Sequence, residues 1–533
     1  MHRILFLLML FASCDTEERR NNRFFRYNQP EGLTTLDPAF AKSQAVNWAT
    51  HQIYNSLVDI DDNLRIVPAL AKRWEISDDG LHYTFTLRQD VFFHNNPAFP
   101  KGKGRLVKAS DVVYSLGRII DKNTASPGAW IFNHRVDSVK PFTALNDSVF
   151  QLKLIRPFPP ILGILSMKYC SIVAREAVNF YGNDFRRNPC GTGPFYFKQW
   201  EEGQALILHR NPVYFERDGK GIRLPYLDAI KVSFLDNKAT EFMEFQQGRL
   251  DFVNDIEASF KDEVLTKKGD LKKEWEAKIV LNKHAYLNTE YLGILVDPGN
   301  DLVKNSTLKD KKIRQAMNHA VDRKKMMMYL RNSIGTAAES GFIPAGMPGF
   351  DADKVKGYHY DPERARTLLK EAGYNPFQRI TLKTVPVYAE LGAFVAKQLE
   401  EIGMRVNVET VQRATLLEEI AKSRAPFFRG SWIADYPDGE NYLSVFYGRN
   451  PAPPNYTRYS NPAFDKLYEQ ALQETNDSVR YELYRKMDQM VMDDAPVIPL
   501  WYDMAIHLVQ KNVTGFKPNA LNLLDLRRAR KVN

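Results

Sequence analysis

Between residues 361 and 409 the chain twice builds an amphipathic helix and stops it on a glycine. Asp361-Pro362-Glu363 supplies a cap, a first-turn proline and an acid at the positive helix end. Ala365, Leu368, Leu369 and Ala372 then form an apolar stripe, and Gly373 closes it. Leu391 to Ile402 repeats the design up to Gly403, and Met404 to Glu409 follows as a strand. Helix followed by strand, repeated, predicts an α/β fold with a partly parallel sheet. Lys311 to Leu330 reads as a further helix, with Ile313, Ala316, Met317, Ala320 and Val321 on one face. Upstream, His82 to Val91 alternates: Tyr83, Phe85 and Leu87 point one way, and Thr84, Thr86 and Arg88 the other. Ser110 is the expected cap of a helix running on through Leu116, after an exposed Gly/Pro/Lys-rich loop at 95–109.

At 533 residues the chain is too long for one compact core, which predicts two or more lobes. Its formal charge is +9, but the basic residues are interleaved with acids, as in Asp310-Lys311-Lys312-Ile313-Arg314. No helix or arm concentrates Lys and Arg among aromatics, so the charge predicts a solvated surface and no nucleic-acid partner.

The first residues are of a different kind. Met1-His2-Arg3 is a short positive start, Ile4 to Phe11 is an apolar run, and Ala12-Ser13-Cys14 leads into polar sequence. A run of that length is far short of the roughly 20 residues that span a bilayer, and the three parts together describe a signal peptide over 1–13. The small residues ending on Cys14 resemble the lipobox of bacterial lipoproteins, with Phe11 in place of the usual leucine. That resemblance implies lipidation of Cys14, a tether over 14–23, and a periplasmic or cell-surface protein anchored to a bacterial membrane. Cys170 and Cys190 then remain. A disulfide between them would close a loop of about 20 residues and contribute about 3 kcal/mol; the alternative is two buried thiols.

Motifs for chemistry are missing. There is no Walker A loop, no HExxH, no GxSxG and no GxGxxG. Gly191-Thr192-Gly193-Pro194 superficially suggests a phosphate loop, but Pro194 lacks the N–H that a phosphate cradle needs, so a rigid turn is expected. The ten histidines are scattered without metal-ligand spacing. No catalytic residue, metal site or cofactor is expected, and binding rather than turnover is the reading.

Longer segments carry more. Ala71 to Val91 and Ala109 to Ser115 are followed by Gly191 to Phe195 and Gln246 to Asp251. Ile313 to Ala316 and Val321 to Arg323 come next, then Ser431-Trp432-Ile433-Ala434-Asp435-Tyr436-Pro437-Asp438, and finally Ala495 to Leu500. In this order they resemble the family 5 extracellular solute-binding proteins, the dipeptide- and oligopeptide-binding components of ABC importers, over nearly the whole chain from Phe24. The resemblance implies an α/β, two-lobed periplasmic-binding-protein fold (type II) with an extra subdomain and a ligand cleft between the lobes. It places lobe I at 24–47, 190–285 and 500–533, the subdomain at 48–189 and lobe II at 286–499. The implied protein is a monomer that captures a small ligand, a peptide first of all, by lobe closure and delivers it to a membrane permease. Relatives with this fold that bind an oligosaccharide, haem or a metal chelate, or a role as a ligand sensor, are the alternatives.

The resemblance also implies site residues. Asp435 matches the aspartate that grips a peptide's α-amino group, and Trp432, beside Tyr436, matches a pocket-lining tryptophan. Arg429 matches an arginine that meets a ligand carboxylate. If Phe427 to Trp432 is a strand, Arg429 and Ser431 share one face and Trp432 takes the other. Lys42, Ser43 and Gln44 match a segment that lends backbone groups to an extended peptide, and Trp130 is a further candidate for the cleft. Near Val387-Tyr388, where some peptide binders carry a basic residue, this chain has none.

Overall fold

The computed structural model describes residues 23–256 and 258–532. The signal segment, Cys14 and nearly all of the tether lie outside the described residues. The chain divides into two compact units. One contains the N-terminal part through Lys261, residues 272–283 and residues 506–533; the other contains residues 262–271 and 284–505. The expected lobe I segment 190–285 is therefore interrupted. Residues 262–271 close on themselves through a bridge between Leu265 and Leu271. They are tied to the second unit by Asn332, which donates to Asp262 (2.8 Å), and Ser333, which donates to the Lys267 carbonyl (3.1 Å).

In the first unit the main elements are β1 (Phe24–Asn28), α1 (Gln44–Ile53), β2 (Ala71–Ile76), β3 (His82–Leu87), α2 (Ala109–Ile120), β4 (Phe142–Asn146), β5 (Val149–Lys153), β6 (Phe195–Glu201), β7 (Ala205–Arg210), β8 (Ala229–Ser233) and β9 (Phe252–Asn254). β1 lies parallel between β8 and β9; β6, β7 and β8 form a meander, and residues 507–509 pair antiparallel with β9. Tyr27, Trp48 and Phe252 meet edge-on at 5.9–6.4 Å in the core of this sheet. A second sheet has the order β2-β3-β5-β4. The alternation expected for β3 is present, with Tyr83, Phe85 and Leu87 buried. α2 starts differently from the expectation: Ser110 sits in its first turn, and Asp111 reaches back to accept from the Lys108 N–H (2.9 Å) while Arg105 holds its carboxylate at 2.7 Å.

The glycines of Gly191-Thr192-Gly193-Pro194 exist for close packing. A Cβ on Gly191 would lie 2.1 Å from the Ile53 carbonyl oxygen, and one on Gly193 would lie 2.4 Å from the Ile53 carbonyl carbon. The Gly193 N–H donates to that carbonyl at 2.8 Å, and the Thr192 hydroxyl donates to Asn55 at 3.0 Å, so the segment seals the end of α1. Cys190 precedes it. The disulfide considered above does not form: Cys170 and Cys190 are free and buried, Cys190 Sγ lies 3.6 Å from the His94 carbonyl, and burial pushes both thiols well up. Neither should react with iodoacetamide in the native protein, and both should be alkylated after denaturation without reductant. Peptide mapping that finds a 170–190 cross-link instead would contradict this.

The second unit contains β10 (Ile279–Ile294), α3 (Lys311–Ala320), α4 (Arg323–Arg331), α5 (Pro362–Glu371), β11 (Arg379–Thr384), α6 (Ala389–Glu401), β12 (Arg405–Thr410), β13 (Phe427–Ile433), α7 (Glu440–Leu443), α8 (Asp477–Asp494) and β14 (Val497–Gln510). The chain passes between the units within β10 and β14. Here the sheet order is β12-β11-β13-β10-β14. β11 is parallel to both β12 and β13, and β10 is antiparallel to β13, with Asn288 opposite Ile433. This is the expected partly parallel α/β arrangement. Its core joins the predicted stripes: Ile313, Ala316, Met317, Ala320, Val321, Ala365, Leu368 and Leu369 are all buried against Leu292, Leu382 and Phe427.

The single helix expected over 311–330 is two helices. Its apolar period runs through the break, but Val321 is extended and Asp322 caps α4 by accepting from the Lys325 N–H (2.9 Å). The two arginines of this motif brace the fold. Arg314 donates to the carbonyls of Leu308, Lys309, Asp494 and Ala495. Arg323, 1% exposed, donates to the carbonyls of Asn318, Val321, Tyr358 and Pro499 and to the Asn318 side chain.

Candidate ligand-binding site

The segment after β13 holds three acids, and the structure treats them differently. Asp438 is buried; it accepts from Tyr484 (2.7 Å), from Arg480 (3.3 Å) and from the Glu440 N–H (2.9 Å). It is the turn cap of Asp-Tyr-Pro-Asp-Gly. Glu440 is buried and receives the hydroxyls of Tyr436 and Tyr468. Asp435 has a single described side-chain partner, a long contact of 3.4 Å from the Asn441 amide. Asp435 is exposed as a residue, yet burial of its carboxyl raises it from the ordinary aspartate value while Asn441 pulls it the other way. A carboxylate partly desolvated and weakly paired suits an incoming cation.

Asn441, in α7, organises this spot. Its side-chain oxygen accepts from Trp432 Nε1 (3.0 Å) and from the Asp435 N–H (3.3 Å), while its amide faces the Asp435 carboxylate. Trp432 is half-buried beside it. Tyr436 is 2% exposed and its hydroxyl goes to Glu440, so it packs the turn.

Arg429 lies on the opposite face of β13 from Trp432, as strand alternation requires. Its guanidinium is paired with Glu290 of β10 and stacks on the Tyr388 ring, with 3.6 Å from Cζ to the ring centroid. Beyond Glu290, Asn288 donates to Asp503 (3.2 Å), and Asp503 is paired with Arg331, whose guanidinium stands 5.0 Å from the Trp501 ring centroid. Two acids and two arginines thus form one network on this face of the sheet. Burial pushes the Glu290 carboxyl up to about 7, against the pull of Arg429. Sequence reasoning did not pick out Glu290 or Asn441. An acid amid the apolar residues of β10 signals a buried partner, but nothing local names Arg429 as that partner.

The remaining candidates belong to the first unit. Ser43 caps α1, accepting from the Val46 N–H at 3.4 Å, and Gln44 accepts from Asn254 at 3.3 Å. Lys42 is exposed and lines a cavity of about 850 Å³ together with Thr34, Asp37, Arg118 and Arg186. Asp37 and Arg118 neutralise each other there at 2.7 Å. Trp130 is 38% exposed, with the Arg135 guanidinium 6.0 Å from its ring centroid. Among the described residues no group of His, Cys, Asp or Glu side chains is arranged to hold a metal ion.

The chain is 27% identical over 545 residues to Heme-binding protein A of Haemophilus influenzae, covering 95% of this chain and 94% of that protein. It is 25% identical over 514 residues to the Dipeptide-binding protein of Escherichia coli K12, covering 91% and 90%. The structure of the ABC transporter-associated periplasmic binding protein DppA from Helicobacter pylori in complex with the peptide STSA superposes with a TM-score of 0.75 at 25% identity, over 96% of this chain and 98% of that one. HbpA2 from Haemophilus parasuis shares the fold with a TM-score of 0.83 at 24% identity, over 96% of this chain and 100% of that one. The profile described as "Bacterial extracellular solute-binding proteins, family 5 Middle" matches residues 65–453, and the chain belongs to that family of solute-binding proteins.

Proposed function

We propose that this solute-binding protein captures a peptide by its α-ammonium group at Asp435 and hands it to an ABC permease. The observation that carries the reading is the unequal treatment of neighbouring acids. Asp438 and Glu440 are buried in their own hydrogen bonds, while Asp435 is exposed, fixed by Asn441 and short of donors. An ammonium supplies the missing donors and the opposite charge, and charge-assisted bonds of this kind contribute about 1.5–3 kcal/mol each. Trp432 offers a rigid aromatic surface beside it, suited to varied side chains. The dipeptide-binding relative and the peptide-bound structure support the same ligand class. The reading extends to the N-terminus, where residues 1–13 direct export and Cys14 carries the lipid anchor.

Calorimetry with tri-alanine and N-acetyl-tri-alanine tests the ligand class. Tri-alanine should bind and the acetylated form, which has no ammonium, should bind at least tenfold more weakly. Equal affinity for the two, or heat from neither, overturns the reading.

A further inference from the structure

The Arg429 network contains more charge than a packing role needs. Glu290 is 1% exposed at its side chain, whereas Arg429 keeps 16%. Its partner acid is therefore sealed inside while the guanidinium is still reachable. Tyr388 covers one face of that guanidinium. Among the described residues Glu290 is the acid paired with Arg429; Asp503, the other acid of the network, is engaged by Arg331 and Asn288. A buried carboxylate is stable only while its cation is undivided. Any second anion at Arg429 withdraws part of that compensation.

We propose that Glu290 holds the place of a ligand carboxylate at Arg429: an incoming carboxylate takes the guanidinium, and Glu290 accepts a proton from solvent, so that capture of a free-acid peptide is coupled to uptake of one proton. The balance is simple. One anion joins the network, one proton neutralises Glu290, and the net charge around Arg429 is unchanged. The titratable and charged groups interacting with Glu290 include Arg429 on β13, Tyr388 ahead of α6, Asp503 on β14, Arg331 on α4 and the adjacent Tyr291 on β10. Asp503 raises the carboxyl and the arginines lower it, with burial the largest influence. Burial already brings protonation near neutrality in the free protein, so a modest further loss of compensation completes it. Under this coupling, free-acid peptides lose affinity more steeply than their amides as pH rises above neutrality, the loss of the peptide ammonium being common to both. The inference rests on the peptide reading above.

The test is calorimetry at about pH 8, where Glu290 starts ionised, in two buffers of different ionisation enthalpy. The probes are di-, tri- and tetra-alanine, each as free acid and as C-terminal amide. Comparing each acid with its amide cancels the titration of the peptide amine. For at least one length, the free acid should take up about one more proton than its amide. In Glu290→Gln, which keeps the shape and removes the titration, that difference should vanish while both forms still bind. If every length that binds takes up the same number of protons as acid and as amide in the wild type, the coupling is wrong while the peptide reading stands. If no probe binds in either form, the peptide reading fails and the coupling falls with it.

Discussion

Asp435→Ala should weaken binding of a free-amine peptide by on the order of 10- to 100-fold, with the fold and thermal stability nearly unchanged. The expectation follows from what surrounds the carboxylate. Its one described side-chain partner is Asn441 at 3.4 Å, so removing it leaves little unpaired in the free protein. In the complex the same deletion leaves a desolvated ammonium with no counter-charge. The carboxyl is held above its ordinary range by the protein around it. Peptide affinity should therefore fall on acidification at a higher pH than an unperturbed aspartate would give, because the protonated acid cannot pair with the ammonium. Asp438→Ala is the contrasting variant. It removes the cap that holds Tyr484, Arg480 and the Glu440 N–H, so its loss should appear first as instability. Titration calorimetry and a melting curve on both variants separate the two roles.

Arg323→Met should destabilise the second unit by about 3–5 kcal/mol. The guanidinium is 1% exposed and is held by backbone carbonyls rather than by a carboxylate. Burial lowers its pKa to about 10, so it remains charged at neutral pH. Four carbonyls, those of Asn318, Val321, Tyr358 and Pro499, lose their donor together. These lie at the end of α3, in the break before α4, in the loop before α5 and in β14, so one side chain joins four parts of the second unit. For a unit of this size the melting temperature should drop by roughly 10 °C. A drop of less than about 2 °C would contradict the brace.

The α/β class was legible because the apolar stripes of α3, α5 and α6 are written at helical spacing, and their residues make up the core of the second unit. The boundary between α3 and α4 was not legible. Hydrophobic periodicity continues through Val321 although the backbone is extended there, and only the cap made by Asp322 marks the break. The start of α2 lies earlier than Ser110: the N-cap is Lys108, and Asp111 in the first turn reaches back to its N–H while pairing with Arg105. Two cysteines in an exported chain suggest a disulfide, but bonding needs a geometry that no spacing reveals, and here both thiols are buried apart. At the site, Asp435 stood out by resemblance. That it differs from Asp438 and Glu440 depends on Tyr436, Tyr468, Arg480 and Tyr484, which fold back onto those two acids and leave Asp435 alone. Arg429 was legible as a charge and illegible as half of a pair, because Glu290 lies on a strand far away in the chain.

The most direct measurement of peptide capture is native mass spectrometry of the protein purified without added ligand, followed by denaturation and sequencing of what is released. Small peptides with free amino termini, released from the wild type and depleted from Asp435→Ala, are the predicted result. A porphyrin, a glycan or a metal chelate released equally from both proteins would contradict it.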